Sequence, residues 1–411
     1  MAEYTWAFDK SFLVFLGIAF LSMTIATKIR SMIPMPLLYG VIFIIGFATG
    51  VLPKDMLLSA NMIAVGTIAY NVLVVHSGTM IHFRTLKAKK KETLLSLASL
   101  AVLTVVGTLV LIPLIGKNLA LLAPGSIVGG GASCAIASRA VFAEHPELAV
   151  FPWLIFMLQG VFSVPIVTWA LKQESKELLD KFRARPAGAA PQGTPGFGGP
   201  GAGTPGTGAP QSAGGKKLFC MRIPDKYKTT PYYLGSIMIA TVLNNLLQST
   251  VLANVPINSY ITALLFGIVL GALGFLDRAP LFKSDSYGLL ILGLMGLMAN
   301  TLANTPWFAI VAYIPALLIS FVVGSVLLLL CAFIGSKVLG ISRYRAIALL
   351  MNSIMGYPVN DMLIEQAAAI GGTEAEKGYL KSEVGPLLGI GTSLISNGLS
   401  VLVVGILTLF V

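Results

Sequence analysis

The chain has 411 residues, of which 56% are hydrophobic and only 11% are charged, and its mean hydropathy is +0.85. Soluble domains carry roughly twice that charged fraction, so the composition excludes an ordinary soluble protein and indicates a polytopic membrane protein. The net charge of +11 does not indicate a nucleic-acid partner, because the basic residues cluster in short loops between apolar runs, a pattern produced by membrane insertion. The three cysteines show no metal-binding spacing, which argues against zinc and disulfides.

Five apolar runs in the first half are long enough to cross the roughly 30 Å of hydrocarbon in a bilayer. The opening residues lack a positive leader and a small-residue cleavage site, so we expect the first run to be retained. Between the last two runs, the segment 118–142 is interrupted by glycines. The runs cover residues 11–28, 36–52, 57–80, 94–115 and 147–171.

Residues 183–217 differ sharply in composition, being rich in Gly, Pro, Ala and Thr and almost free of large apolar groups. Such a segment cannot bury a core, which predicts a disordered linker. The predicted organisation is therefore an N-terminal membrane repeat at 1–182, the flexible linker at 183–217, and a C-terminal membrane repeat at 218–411.

The apolar pattern restarts after the linker and follows the same order. A second interrupted segment, 344–369, again lies between the fourth and fifth spans. Three local matches occur in the same order in both halves, among them SIVGG at Ser126 and SIMGY at Ser353, which indicates an internal duplication. The predicted spans are 232–252, 258–275, 286–303, 309–334 and 386–410.

Five crossings per half is an odd number, so the second half is predicted to enter the membrane with inverted topology. With both termini outside the cell and the linker in the cytoplasm, all but four of the 28 basic residues are cytoplasmic or adjoin the cytoplasm. The four exceptions are Lys10, Lys54 and Lys117 outside and Arg139 in the first interrupted segment. The prediction is an all-α, multi-pass protein of the cell inner membrane, with two inverted repeats of five spans plus one re-entrant hairpin each.

The first hairpin offers a site for an anionic substrate. Gly129, Gly130 and Gly131 would let backbone approach a ligand closely, and the helix restarting near Ser133 would direct free N–H groups at an anion. Arg139 is the one basic residue placed at hairpin depth, and a charge there indicates a functional site. The alternative is that Arg139 extends to the outer surface.

The second hairpin offers a cation site beside the substrate. Pro358 suits the first turn of a restarting helix, and Asn360 and Asp361 follow directly. Pro358 and Asn360 are also expected to contact the substrate. Hard oxygen ligands suit Na⁺, so we expect Asn352, Ser353, Asn360 and Asp361, with Ser133 of the first hairpin, to hold the ion. The alternative for Asp361 is a charge that only stabilises its own helix.

The last span carries a polar cluster, GIGTSLISNGLS. Thr392 and Ser396 share a face and are expected to contact substrate, and Asn397 is expected to join the ion ligands. Polar residues in a span often only hold helices together, and that alternative stays open.

These two interrupted stretches resemble the glutamate:sodium symporter family and its relatives among the 2-hydroxycarboxylate transporters. GGGASCAIAS is similar to the family's glycine-rich first hairpin, and GYPVNDM is similar to its second. The resemblance implies Na⁺ coupling and an anionic substrate such as glutamate or a di- or hydroxycarboxylate. The histidine that relatives carry between the glycines is missing here, so the substrate is not carried over. We also expect a homodimer.

The expected function is therefore Na⁺-coupled symport of a small organic anion by alternating access. Proton coupling and cation/proton antiport are the alternatives, although antiport would usually need acidic residues deeper in the membrane. No Ser/His or paired-Asp arrangement at helical spacing supports an intramembrane hydrolase, so we do not expect an enzyme.

Overall fold

The computed structural model describes residues 4–29, 33–81, 83–184, 223–253, 255, 257–355 and 359–411. Across these residues the protein is helical and has no β-strand. The predicted all-α class is confirmed. Most of the predicted linker, from residue 185 onward, lies outside the described residues.

The first half contains four helices, a broken pair and a long helix. The broken pair, α5 and α6, occupies the first interrupted segment. The helices are α1 (Phe8–Lys28), α2 (Met35–Ala48), α3 (Met62–Thr79), α4 (Lys90–Ile115), α5 (Lys117–Ile127), α6 (Gly131–Phe142) and α7 (Val150–Arg183).

The second half contains the same kinds of element in the same order, with the second broken pair formed by α12 and α13. The helices are α8 (Thr230–Thr250), α9 (Ser259–Leu273), α10 (Tyr287–Asn304), α11 (Ile314–Leu339), α12 (Arg343–Asn352), α13 (Val359–Ala368) and α14 (Glu374–Phe410).

Local signals explain where the helices around the second broken pair begin and end. Gly340 adopts φ 60° at the end of α11, a left-handed conformation that glycine reaches without steric cost. The hydroxyl of Ser342 then accepts the backbone N–H of Arg345 and caps α12. Thr373 and Glu376 form a capping box that starts α14.

Seven helices among the described residues are long and apolar enough to cross a membrane. The protein is therefore a multi-pass membrane protein. Of the ten predicted spans, α2 and α9 are apolar but only 14 and 15 residues long, and α8 is not among the seven. Amide side chains at Asn244, Asn245 and Gln248 lower the hydropathy of α8.

Helix α7 is longer than its predicted span, because it continues from residue 171 to Arg183. The length of the apolar run predicts the membrane span alone. The extension KQESKELLDKFR is polar but rich in good helix formers, so the helix continues beyond the apolar run. At its end, Arg183 Nε donates to Glu376 Oε1 at 2.7 Å, which attaches α7 to the start of α14.

The two halves interlock. Helix α3 packs against α9 and α10 of the second half, and α4 packs against α11. The first arm of each broken pair packs against the final long helix of the other half, α5 against α14 and α12 against α7. Both hairpins therefore lie between α7 and α14.

A buried group of charges joins four helices at the start of the second hairpin. Arg345 Nε lies 3.0 Å from Glu92 Oε1, and Arg345 Nη1 lies 3.7 Å from Glu174 and 3.8 Å from Glu383. Lys89 Nζ adds a contact of 3.7 Å with Glu383. The Arg345 side chain is only 14% exposed, so removing it would leave three carboxylates without their central cation.

We expect Arg345→Gln to destabilise the protein by about 3 kcal/mol, because removing one partner of a buried ion pair strands the other. The apparent melting temperature in detergent measures this. Lys377→Gln is the control, since it breaks a pair with Glu374 whose carboxylate side chain is 89% exposed, and exposed pairs contribute little. Equal shifts in the two variants would contradict a structural role for the Arg345 cluster.

Candidate functional site

The two hairpin breaks lie against one helix, α14. The first break separates α5, which ends at Ile127, from α6, which begins at Gly131. Within it, Gly130 N–H donates to the backbone oxygen of Ser396 at 3.3 Å. The second break follows Asn352, whose side-chain amide donates to Leu388 O at 3.1 Å. α14 therefore contacts both tips.

Helix α14 is widened into a π-helix over Gly391–Leu399, at the level of both hairpins. A π-helix bonds i to i+5 and is typical of functional sites. This segment carries Thr392, Ser396 and Asn397, the three residues of the last span predicted to contact substrate or ion. At its start, a Cβ on Gly391 would lie 2.9 Å from Leu349 O, so glycine there permits the close approach of α12.

A chain of hydroxyl groups joins the first hairpin to α14. Ser400 Oγ donates to Ser396 O at 2.6 Å, and Ser133 Oγ lies 2.7 Å from Ser400 Oγ. Because the Ser400 proton is already used, Ser133 is the donor in that contact. The Ser396 hydroxyl is 1% exposed and has no hydrogen-bond partner among the described residues.

Two asparagines of the second hairpin converge on Thr392. Asn352 Nδ2 donates to Thr392 Oγ1 at 3.2 Å, and Asn360 Nδ2 donates to the same oxygen. Their amide oxygens, Asn352 Oδ1 and Asn360 Oδ1, are buried and accept no hydrogen bond within the described part of the chain. Buried amide oxygens without a donor are oxygen atoms of the kind that a hard cation takes as ligands.

The two hairpin tips are also joined through Gln159 of α7, which the sequence analysis did not single out. Gly129 O and Ile354 O each lie 3.2 Å from the same terminal atom of the Gln159 amide. Because a carbonyl oxygen can accept only from the amide nitrogen, we assign that atom as Nε2, which then donates to both tips. Gln159 is 6% exposed. A lone glutamine inside an apolar run was the available signal, since a buried amide needs polar partners.

The other predicted site residues have mixed placements. Arg139 lies about 12 Å along α6 from Gly131, is exposed, and places its guanidinium 5.0 Å from the centroid of the Tyr70 ring. Ser353 Oγ donates within its own turn, to Leu350 O at 2.6 Å. Pro358 lies outside the described residues.

Asp361 and Asn397 border the junction. Asp361 is half-buried in the first turn of α13 and forms no ion pair with the described residues. Asn397 is also half-buried, with its Oδ1 3.5 Å from the position of a Cβ on Gly130. Glu365, one turn beyond Asp361, pairs with Lys381 at 2.7 Å and is exposed.

No group of three or more His, Cys, Asp or Glu residues that could hold a metal ion occurs among the described residues. The polar oxygens that the junction offers to a cation are those of amides, hydroxyls and the backbone. The only acid next to one of these residues in the sequence is Asp361, which follows Asn360. Oxygen ligands of this kind suit a hard, monovalent cation better than zinc or another transition metal.

No protein-family model matches this chain, and no curated protein matches it.

Gly129 and Gly130 of the first tip differ in the space available for a side chain. A Cβ on Gly129 would overlap Ser133 Cβ and lie 2.5 Å from Gly125 O, whereas a Cβ on Gly130 meets only ordinary contacts at 3.5 and 3.6 Å. We expect Gly129→Ala to cost about 1 to 3 kcal/mol by overpacking and Gly130→Ala to be close to neutral, measured as apparent melting temperatures. The reverse order would contradict this packing.

Proposed function

We propose that this protein is a secondary active transporter of the cell inner membrane that moves a small organic anion together with Na⁺ by alternating access. The single observation that carries the proposal is the meeting of two hairpin breaks on α14. Non-helical backbone at membrane depth is tolerated only inside protein or along a wet cavity, and paired broken helices form the binding sites of many secondary transporters. We also propose that the protein forms a homodimer, although both hairpins of the site come from one chain.

Reciprocal packing supports an inverted repeat of five spans and one re-entrant hairpin. The contact of α2 with α10 has a counterpart in the contact of α9 with α3. Likewise, α5 packs on α4 and α14, while α12 packs on α11 and α7. If each helix is exchanged with its counterpart in the other half, α1 with α8 and so on to α7 with α14, these contacts are reproduced. An approximate two-fold axis requires this.

Contacts near the ends of the predicted spans support the proposed grouping of those ends by side. Tyr313 OH donates to Glu147 O at 2.9 Å, and both residues lie near the ends of spans that are predicted to begin outside. Arg345 and Glu92 pair on the side predicted to be cytoplasmic. Each contact thus joins residues that are predicted to share a side of the membrane. The proposal that both termini are outside and the linker is in the cytoplasm is supported by the distribution of basic residues.

The junction provides separate groups for a cation and for an anion. Asn352 Oδ1, Asn360 Oδ1 and the Ser396 hydroxyl offer buried oxygens to Na⁺, and Asp361, which follows Asn360 in the first turn of α13, is proposed to supply the negative charge. The N-termini of α6 and α13 point free N–H groups and positive dipole ends toward the breaks, where a carboxylate substrate would bind. An ion and an anion bound side by side would stabilise each other, which is the basis of symport.

Uptake by purified protein in proteoliposomes tests the function. We expect an inward Na⁺ gradient to drive accumulation of L-glutamate or malate. Accumulation driven by a proton gradient without Na⁺ would instead establish proton coupling. Exchange of Na⁺ for protons with no dependence on any carboxylate would overturn the proposal in favour of an antiporter.

We expect Asp361→Asn to weaken Na⁺ binding about 30- to 150-fold, because losing a charged ligand of a partly buried cation costs about 2 to 3 kcal/mol. Substrate affinity at fixed Na⁺ should fall as well, and higher Na⁺ should partly restore it. Glu365→Gln is the matched control, since that acid is exposed and paired with Lys381. Unchanged Na⁺ dependence in Asp361→Asn would make Asp361 a helix-stabilising charge instead.

A further inference from the structure

Gln159 contacts both hairpins just beyond the end of the first arm. Gly129 lies two residues beyond the end of α5, and Ile354 lies two residues beyond the end of α12. Carbonyl groups at the end of a helix have no partner within that helix. Both carbonyls accept from the one Gln159 amide at 3.2 Å, so a single side chain satisfies the end of the first arm in each hairpin.

Gln159 lies on a face of α7 that follows the first tip. It is in the first third of α7, and Ser163 Oγ donates to its backbone oxygen at 2.8 Å. One turn earlier on α7, the Phe156 ring lies 3.2 Å from the position of a Cβ on Gly131. Phe156 and Gln159 therefore form one surface of α7 along the first tip, and Gln159 extends that surface to the second tip.

The chemistry matches a donor with two N–H groups. A primary amide carries two donors and one acceptor, and the two carbonyl oxygens use both donors. A methionine or leucine fills the same space without a donor, and a glutamate presents oxygen to oxygen. These substitutions separate loss of hydrogen bonds from loss of volume.

We propose that Gln159 is a positioning residue that ties the two hairpin tips together, so that the tips separate only when its two hydrogen bonds break. The tie couples a hairpin of each half to α7, and it holds the first tip against the second in the state seen here. Its role in transport rests on the function proposed above, whereas the tie itself can be measured without substrate.

Cys134 reports on this tie. Its side chain is fully buried in the first turn of α6, and its thiol donates to Ser126 O across the first hairpin at 3.6 Å. In a Cys220→Ser/Cys331→Ser background, Cys134 is the remaining cysteine of the three. The rate at which N-ethylmaleimide labels it in membranes then measures opening of the first hairpin.

We expect N-ethylmaleimide to label Cys134 about 5- to 150-fold faster in the Gln159→Met variant than in the parent. Losing two buried hydrogen bonds lowers the free energy of opening by a corresponding amount. Gln159→Glu should label at least as fast. Gln248→Met is the matched control, because Gln248 donates to Thr262 Oγ1 at 2.7 Å and ties α8 to α9, away from the hairpins; it should label at the parental rate. Should Gln159→Met fail to fold, Gln159→Asn, shorter by one methylene, should label at an intermediate rate.

Two outcomes would overturn the tie. One is parental labelling in folded Gln159→Met or Gln159→Asn. The other is parental labelling in Gln159→Glu with stronger thermal stabilisation by Na⁺, which would make residue 159 an oxygen ligand of the cation instead of a donor. Faster labelling in a protein that shows no uptake would support the tie and count only against the transport proposal. In active protein, the substrate KM of Gln159→Met should rise more than its maximal rate falls.

Discussion

The structure depends on satisfying the backbone at two breaks in otherwise apolar surroundings. An unpaired peptide group in hydrocarbon costs several kcal/mol, so a broken helix persists only where other parts of the protein supply partners. Here Ser396 O accepts the Gly130 N–H, the Asn352 amide binds Leu388 O, and Gln159 donates to carbonyls of both tips. Each break is paired by groups far away in sequence.

That requirement explains the interlocked architecture. Neither hairpin could rest only on its own half, because its partners lie on the final helix of the other half as well. α14 widens into a π-helix where it contacts both hairpins, and the irregular turn presents hydroxyl and carbonyl groups that a regular helix would keep to itself. Displacement of one half against the other must therefore alter both breaks together.

The junction is polar without being strongly charged. The polar groups brought together there are amides, hydroxyls and backbone carbonyls, with the half-buried Asp361 at the edge. Other charged side chains near the hairpins are paired or exposed, as in the Arg345 cluster, the Glu365–Lys381 pair and Arg139 over Tyr70. Neutral oxygen ligands bind a monovalent cation without the desolvation cost of burying several carboxylates.

The amino-acid sequence by itself determined the helical class, the membrane location, the order of elements and the two places where helices break. These features depend on local signals, namely the length of apolar runs and clusters of glycine, and local signals can be read along the chain. The same signals underestimated α7, because its polar extension continues the helix without lengthening the apolar run.

Only the tertiary structure decided which side chains meet. Ser133 and Ser400 are 267 positions apart, Gln159 joins two tips that belong to different halves, and the π-helix brings Thr392 to two asparagines. The guanidinium of Arg139 lies over the ring of Tyr70, which is 69 positions earlier in the chain. Spacing along one helix predicts which residues share a face, but not which distant backbone groups that face will satisfy, since that depends on how the two halves pack.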